Sequence, residues 1–198
     1  MDIYVGSTNP AKVRQLSAAL IPCGVQVGVL PVSELPDVAE DRTDAVGNAR
    51  QKAIAFSAIT DGACLTMDAS LLLPDLPEEA QPGVHVRRLP NRTHRPDDDE
   101  VLQYYSDLCL RHGGRLRARW ILGFAIALPD GRCFDEAATV ERLLVAPPCV
   151  RRRRGYPLDS LQREPCTGIT SPNSARTRRP RSGRTRSEAR CSTLSSRH

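Results

Sequence analysis

The chain has 198 residues, 40% of them hydrophobic and only 4% aromatic, so its core must be built from aliphatic side chains. No segment is apolar over the roughly 18 residues of a membrane span, and no basic start followed by an apolar run predicts a secretory signal. The net charge of +5 divides unevenly, because residues 151–198 carry +10 and residues 1–150 carry −5, which predicts an acidic body with a basic tail.

A short apolar strand over residues 2–5 is predicted to run directly into a helix. Ser7 or Asn9 can cap this helix, and Pro10 suits its first turn. The free backbone N–H groups and the helix dipole at such a turn can bind phosphate, and Lys12 adds a positive charge. An ordinary capped helix with a solvated lysine is the alternative, and the spacing alone leaves both interpretations open.

Strands and helices continue to alternate up to an acidic residue. Residues 25–30 predict a second strand, an alanine-rich helix follows a cap at Thr43 or Asp44, and residues 63–68 predict a third strand that ends at Asp68. Ligands bind at the carboxyl ends of strands in open α/β sheets. An acid there can hold Mg²⁺ or accept a proton from water, although a turn-forming aspartate is the simpler interpretation.

The second half of the chain predicts one helix and a β-hairpin. Acidic residues 97–100 sit where a helix amino terminus favours negative charge. Residues 117–128 form the longest apolar run, residues 129–131 signal a turn, and residues 138–146 can return antiparallel. The pattern therefore predicts a mixed α/β domain.

The last segment of the chain is predicted to be disordered. Residues 169–198 consist largely of Ser, Thr, Pro and Arg, which bury too little apolar surface to offset the entropy of ordering. We therefore divide the chain into a domain over residues 1–165 and a basic tail over residues 166–198. An arginine-rich arm that contacts nucleic acid through its phosphates is one interpretation of this tail.

The seven cysteines are odd in number and widely scattered. No pair has the C-x-x-C spacing of a zinc site, and the spacing does not predict a disulfide framework. We therefore expect reduced thiols and a cytoplasmic location.

Four segments carry a resemblance to a known family: "GSTNPAKVRQL", "EDRTDAVGNARQKA", "LTMDASLLLPDL" and "PGVHVRRL". Their order and spacing over residues 1–148 resemble the inosine triphosphate pyrophosphatase family. Members hydrolyse non-standard purine nucleoside triphosphates such as ITP, dITP and XTP to the monophosphate and pyrophosphate, using Mg²⁺. The resemblance implies a mixed α/β fold of two lobes with the nucleotide in a cleft between them, and a homodimer.

The resemblance also implies roles for individual residues. Asp68 matches an acid that activates water and organises metal, and Lys12 closes the family's Ser/Thr-x-Asn-x-x-Lys signature. These two are the implied catalytic residues, and Asp68 with Glu40 are the candidate metal ligands. The implied substrate-binding residues are Ser7, Thr8, Asn9, Lys12, Ser70, Arg88, Tyr156 and Asp159.

The chain departs from the family at two expected carboxylates. Gly47 stands where the family has a metal-binding glutamate, and Met67 stands where it has the first acid of a pair. These losses should weaken metal binding, since phosphoryl chemistry needs the phosphate charge neutralised, and Glu40 or Asp41 could compensate. A related inosine/xanthosine triphosphatase branch tolerates glycine near position 47. A nucleotide-binding remnant without catalysis is the second hypothesis, and a nucleic-acid-binding protein is the third.

The carboxyl-terminal segment departs furthest from the family. Members carry a Gly-Phe-Gly-Tyr-Asp-Pro segment and a later Ser-His-Arg that help to recognise the purine, whereas "GYPLDSLQ" keeps Tyr156 and Asp159 in another arrangement. One hypothesis is a shifted reading frame, because a GC-rich back-translation of "GITSPNSARTRRPRS" encodes an acidic, helix-forming sequence two bases further on. The coding DNA would decide between this hypothesis and an authentic basic tail.

Overall fold

The computed structural model describes residues 2–165, which form one mixed sheet and three long helices. The helices are α1 (Pro10–Leu20), α2 (Ala45–Ser57) and α3 (Asp98–Arg111). The strands are β1 (Asp2–Val5), β2 (Gln26–Val29), β3 (Ala63–Leu72), β4 (Arg115–Ala127), β5 (Cys133–Val145) and β6 (Gln162–Arg163). The predicted tail, residues 166–198, lies outside the described residues.

The sheet joins a parallel part to an antiparallel part. Its strand order is β2-β1-β3-β4-β5-β6, in which β1 pairs parallel with both β2 and β3. From β3 onwards every pairing is antiparallel, and β4 and β5 pair over their full length. The predicted α/β class with a mixed sheet is therefore confirmed. Within residues 2–165, no helix is both long and apolar enough to cross a membrane.

Side chains at the helix starts satisfy backbone N–H groups that lack an intrahelical partner. Asn9, rather than Ser7, caps α1, since its side-chain oxygen accepts the N–H of Ala11 at 2.9 Å. Asp44 caps α2, and Asp97 caps α3 in a reciprocal capping box with Glu100. The sequence patterns thus located all three helix starts.

The prediction that the third strand ends at Asp68 is wrong. β3 continues to Leu72, because β4 pairs with it along the whole segment from Cys64 to Leu72. The opposite edge of β3 is different, since β1 leaves it after Leu65. Asp68 therefore lies in the middle of β3 but just beyond the carboxyl end of β1. The hairpin is also longer than predicted, because β5 begins at Cys133.

Helices α1 and α2 cover opposite faces of the sheet. Met67 packs with Leu16 of α1, whereas the hydroxyl of the adjacent Thr66 donates to the carbonyl of Ala49 in α2. Successive residues of a strand point to opposite faces, so this region of the sheet is covered on both sides. A separate cluster, which includes Leu116, packs α3 against the other end of the sheet.

Gly123 lets α2 approach β4 closely. A Cβ atom at this position would overlap the backbone of Ala45 and Val46 at the start of α2. We expect Gly123→Ala to lower the free energy of unfolding by roughly 1–3 kcal/mol, because the helix must move away from the sheet. The measurement is urea denaturation. Ala137→Ser, at the exposed position that pairs with Gly123, is the control and should change stability by less than about 0.5 kcal/mol.

Candidate active site

Because β1 ends early, the edge of β3 that faces β1 has no strand partner just beyond Leu65. The N–H of Gly6 still donates to the carbonyl of Leu65 at 3.0 Å. Two residues further along β3, the Lys12 ammonium lies 3.3 Å from the carbonyl oxygen of Met67. An unpaired backbone carbonyl at this position would otherwise need water or another donor. The first turn of α1 thus places Lys12 at the open edge of β3.

Asp68 is held between two lysines. Lys12 Nζ lies 3.0 Å from Oδ1 of Asp68, and Lys52 Nζ lies 3.1 Å from its Oδ2. Lys12 comes from α1 and Lys52 from α2, so the carboxylate is contacted from helices on opposite faces of the sheet. The side chain of Asp68 is only 11% exposed. These are the only two lysines in the chain, whose other cationic side chains are all arginine or histidine.

The two lysines keep Asp68 ionised. Burial by itself would raise the pKa of the Asp68 carboxyl, but the charges and hydrogen bonds of Lys12 and Lys52 outweigh it and lower the pKa below its ordinary value. The group is therefore a carboxylate at neutral pH. An ionised carboxylate beside two ammonium groups can accept a proton, while the ammonium groups can bind phosphate oxygens.

Lys52 also contacts Glu40, and the sequence analysis missed it. Lys52 Nζ lies 2.6 Å from Oε1 of Glu40, so one ammonium joins both predicted metal-binding carboxylates. The signal that could have found it is helical spacing. Lys52 follows the buried Ala45 and Ala49 by seven and three residues, which places it at the margin of the buried stripe of α2.

Asp68 and Glu40 are the two carboxylates at this site that could hold a divalent cation. Mg²⁺ is commonly held by one or two protein carboxylates together with substrate phosphates and water. Residues 2–165 contain no group of three or more His, Cys, Asp or Glu side chains arranged for a metal ion. A Cβ atom at Gly47 would lie 3.0 Å from the side chain of Arg42, which fills the space beside this position. The two carboxylates therefore need phosphate oxygens to complete a metal site.

The predicted phosphate-binding turn is internally braced. Ser7 is buried and its hydroxyl accepts the N–H of Asn9 at 3.1 Å. The Nδ2 group of Asn9 donates to the carbonyl of Gly155 at 3.1 Å, across 146 positions of sequence. Gly155 has a φ of +86°, and a Cβ there would lie 2.6 Å from the Asn9 side chain. Ser7 and Asn9 therefore fix the turn, while Thr8 is exposed.

A cavity of about 660 Å³ opens beside this turn. Pro10 and Arg14 of α1, which lie one helical turn apart, face the cavity, whereas Lys12 reaches β3. The full lining comprises Thr8, Asn9, Pro10, Arg14, Arg87, Arg95, Asp97, Asp98, Asp99, Arg154 and Gly155. We refer to it as the arginine cavity.

The remaining predicted site residues lie in three different places. Ser70 is buried in β3, two residues after Asp68 and on the same face of the strand. Arg88 is exposed, and its neighbour Arg87 lines the arginine cavity. The role of Arg88 in substrate binding stays a prediction. The Tyr156 hydroxyl bonds to Gln15 of α1, and the guanidinium of Arg153 lies 4.5 Å from the Tyr156 ring.

Asp159 belongs to a second cavity rather than to the site around Asp68. Its Oδ2 accepts a hydrogen bond from Arg153 at 3.1 Å, and it lines a cavity of about 410 Å³ together with Cys149. The structure therefore brings Lys12, Asp68 and Glu40 together through Lys52. It does not bring Tyr156 or Asp159 to that group, and their roles in substrate binding stay predictions.

These features define an α/β protein with a cluster of charged side chains just beyond the end of its first strand. A sequence profile of the Ham1 family matches residues 3–156, and the chain belongs to this family. It is similar to a protein named dITP/XTP pyrophosphatase from Brucella melitensis, with 28% identity over 151 residues, which cover 74% of this chain and 68% of that protein. The protein of the same name from Deinococcus radiodurans is 30% identical over 159 residues, covering 80% of this chain and 74% of that one.

Solved structures show the same fold. A HAM1 protein from Coxiella burnetii superposes with a TM-score of 0.64 at 21% identity, covering 83% of this chain and 82% of that one. A nucleoside-triphosphatase, dITP/XTP pyrophosphatase, from Mycobacterium abscessus gives a TM-score of 0.59 at 24% identity, covering 84% and 83% of the two chains. The resemblance inferred from the motifs is confirmed.

Removal of the Asp68 charge should destabilise the protein in a pH-dependent way. Asp68→Asn leaves two poorly exposed ammonium groups close together, so we expect the free energy of unfolding near pH 7 to fall by about 3 kcal/mol. A depressed carboxyl pKa stabilises the folded state fully above the pKa of the unfolded chain, and this stabilisation is lost as the pH falls towards the lower folded-state pKa. The difference between wild type and variant should therefore shrink as the pH falls below about 4.

Glu141→Gln is the matched control for this measurement. Glu141 pairs with Arg119 on the exposed surface of the hairpin, where an ion pair contributes little to stability. Denaturation curves are measured across the pH range for both variants. An equal loss of stability in the two would contradict the view that Asp68 is a buried carboxylate stabilised by Lys12 and Lys52.

Proposed function

We propose that the chain is a nucleoside triphosphate pyrophosphatase that hydrolyses non-standard purine nucleoside triphosphates, such as ITP, dITP and XTP, to the monophosphate and pyrophosphate. The observation that carries the proposal is the ionised Asp68 held between Lys12 and Lys52 beside the amino terminus of α1. Membership of the Ham1 family and the relatives named dITP/XTP pyrophosphatase support it.

Each charged group of the site has a task in this reaction. Asp68, which is ionised, accepts a proton from the water that attacks the α-phosphorus. Its hydrogen bonds from Lys12 and Lys52 hold the carboxylate in position. Lys12 and Lys52 stabilise the negative charge that builds up on the phosphates and on the departing pyrophosphate. The braced turn of Ser7 and Asn9 keeps the start of α1, and hence Lys12, in position.

We further propose Mg²⁺ as the metal, with Asp68 and Glu40 as its protein ligands. When bound, the ion neutralises phosphate charge. Lys52, which pairs with both carboxylates in the free protein, would then be available to contact phosphate oxygens. The homodimer implied by the resemblance and the cytoplasmic location stay predictions.

One observation favours a nucleotide-binding protein without turnover as the second candidate. Lys52 pairs with both Glu40 and Asp68, and Gly47 and Met67 remove two carboxylates that the family pattern would place nearby. In that case nucleotide would bind tightly and its affinity would be insensitive to Mg²⁺. The hypothesis of nucleic-acid binding through the tail concerns residues outside the described range.

Substitution of Asp68, or of Lys52 that contacts it, should strongly lower turnover without abolishing nucleotide binding. In a pyrophosphate-release assay with ITP, XTP and dATP, we expect Asp68→Asn to lower kcat roughly 10²–10⁴-fold, because the proton acceptor is lost. Lys52→Arg should also lose activity, since a planar guanidinium cannot replace a compact ammonium between two carboxylates. Equal turnover by wild type and Asp68→Asn would overturn the catalytic role.

The scarcity of lysine provides an independent measure of nucleotide binding. A limiting amount of an amine-reactive acetylating reagent has three amines to modify: the side chains of Lys12 and Lys52 and the α-amino group. Bound ITP should protect both lysines, as measured by mass spectrometry, while the α-amino group serves as the internal control. Protection of neither lysine would place the triphosphate elsewhere.

Removal of metal should stop hydrolysis, and loss of the Glu40 charge should raise the Mg²⁺ concentration that hydrolysis requires. We expect EDTA to abolish ITP hydrolysis and Mg²⁺ to restore it. Glu40→Gln should raise the Mg²⁺ concentration for half-maximal activity about tenfold, because one of two protein carboxylates is lost. Asp41→Asn is the matched control, since Asp41 pairs with Arg42 on the surface rather than with Lys52. If Asp41→Asn raised the Mg²⁺ concentration for half-maximal activity more than Glu40→Gln did, Asp41 rather than Glu40 would be the metal ligand.

A further inference from the structure

The edge of β5 that faces away from β4 has no strand partner over most of its length. β6 pairs with β5 only at Leu143 and Leu144. Pro165 comes two residues after β6 ends at Arg163, and proline lacks the N–H that would continue the ladder along β5. In the part of the chain that the structure describes, no strand therefore pairs with this edge over residues 133–142.

The backbone groups of alternate residues point outward along this edge. The N–H of Val145 donates to the carbonyl of Leu161 at 2.8 Å, and the carbonyl of Cys133 accepts a hydrogen bond from Arg50 at 3.2 Å. Both contacts lie on the side away from β4, so the odd-numbered residues between them point their N–H and C=O groups the same way. Four such residues lie along the open edge: Asp135, Ala137, Thr139 and Glu141.

The side chains near this edge are also uncovered. Every residue over 134–139 is exposed, and Phe134 is 55% exposed. Cys133 packs against the alanines of α2, so Phe134 and Val140 point to the opposite face of the sheet. An unpaired backbone beside exposed apolar side chains is a template for pairing with another strand.

We propose that the open edge of β5 pairs antiparallel with the same edge of a second copy of this chain. The outward-pointing residues of the two strands must lie opposite each other to exchange hydrogen bonds, so odd-numbered residues face odd-numbered ones. A two-fold axis at Ala137 gives the longest such ladder that does not overlap β6. It sets three pairs opposite each other on either side of the axis: Cys133 with Glu141, Phe134 with Val140, and Asp135 with Thr139.

The neighbouring registers fit less well. With the axis at Ala138, Cys133 of the second copy would lie opposite Leu143, where β6 already pairs. Asp135 would also lie opposite Glu141, and like charges directly opposite are destabilising. Moving the axis the other way shortens the ladder. The edge therefore favours the register centred on Ala137.

Contacts on both faces of the sheet favour a second copy as the partner. On one face, Phe134 lies opposite Val140, an aromatic and β-branched pair that the two-fold axis repeats. On the other face, Glu141 of the second copy lies opposite Cys133, whose carbonyl binds Arg50. Arg50 can therefore pair with an acid of the second copy. The strand is thus complementary to itself in both apolar contact and charge.

Glu136 opposes this pairing in the free chain. Its carboxylate accepts the N–H of Ala137 at 3.0 Å, and this N–H lies at the centre of the proposed ladder. Glu136 has to release it before a second strand can bind. A single pair of strand edges also buries less than the roughly 1,200–2,000 Å² of a standard interface. We therefore expect a weak dimer, with a Kd of roughly 1–100 µM.

Sedimentation equilibrium of the full chain under reducing conditions measures this dimer. Ala137→Pro should raise the Kd about tenfold or more, because it removes the central N–H, which points away from β4 and is not needed by the hairpin. Ala137→Ser keeps the N–H and is the matched control, with the Kd of the wild type. Glu136→Ala should lower the Kd, since the N–H of Ala137 is then free to pair.

A side-chain substitution tests the same surface without changing the backbone. Phe134→Ser should also raise the Kd about tenfold, because its apolar contact with Val140 is lost twice in the dimer. Leu110→Ser is the control, since Leu110 is 56% exposed in α3, away from this edge. The Kd of this variant should equal that of the wild type.

Hydrogen exchange followed by mass spectrometry locates the interface. The amides of residues 133–142 should exchange more slowly when the protein concentration is raised from below to above the Kd. Protection that does not change with concentration would mean that the edge is covered within one chain, and would overturn the proposal.

Two results of sedimentation would also overturn it. One is a wild-type chain that stays monomeric at roughly 300 µM, above the expected range of Kd. The other is a dimer that Ala137→Pro and Phe134→Ser both leave unchanged, because such a dimer uses another surface. The proposal goes beyond the proposed function and does not depend on it, so a failure of ITP hydrolysis would leave these measurements valid.

Discussion

The contact between Asp68 and the two lysines of the chain is the interaction on which both fold and site depend. A buried carboxylate is costly unless charges and hydrogen bonds compensate it, and here two ammonium groups do so. Because Lys12 and Lys52 belong to helices on opposite faces, the same carboxylate ties α1 and α2 to β3. The other described ion pairs of the chain use arginine or histidine as the cation, except that between Lys52 and Glu40.

The unequal lengths of two parallel strands create the space for this contact. β1 has four residues and β3 has ten, so β3 keeps an unpaired edge between Leu65 and the bridge from Leu71 to Gly83. The turn into α1 lies across that opening. Its hydrogen bond from Asn9 to Gly155 joins two residues that line the arginine cavity. The first turn of α1 therefore contributes to both places, since Lys12 contacts Asp68 and Pro10 lines the cavity.

The departures from the family pattern change how charge is balanced at the site. With glycine at position 47 and methionine at 67, two carboxylates remain, and Lys52 contacts both. The side chain of Arg42 fills the space beside Gly47. Protein cations thus balance the carboxylates in the free protein, and phosphate oxygens would have to complete any metal site.

The sequence by itself determined the helix starts, the α/β class and the family, because caps, periodicity and signature residues are local in the chain. It placed Lys12 and Asp68 as candidates, but only the tertiary structure decided that they touch, since 56 positions separate them. It also missed Lys52 and ended β3 four residues early. Each of these depends on pairing or packing with distant segments, which local patterns do not encode.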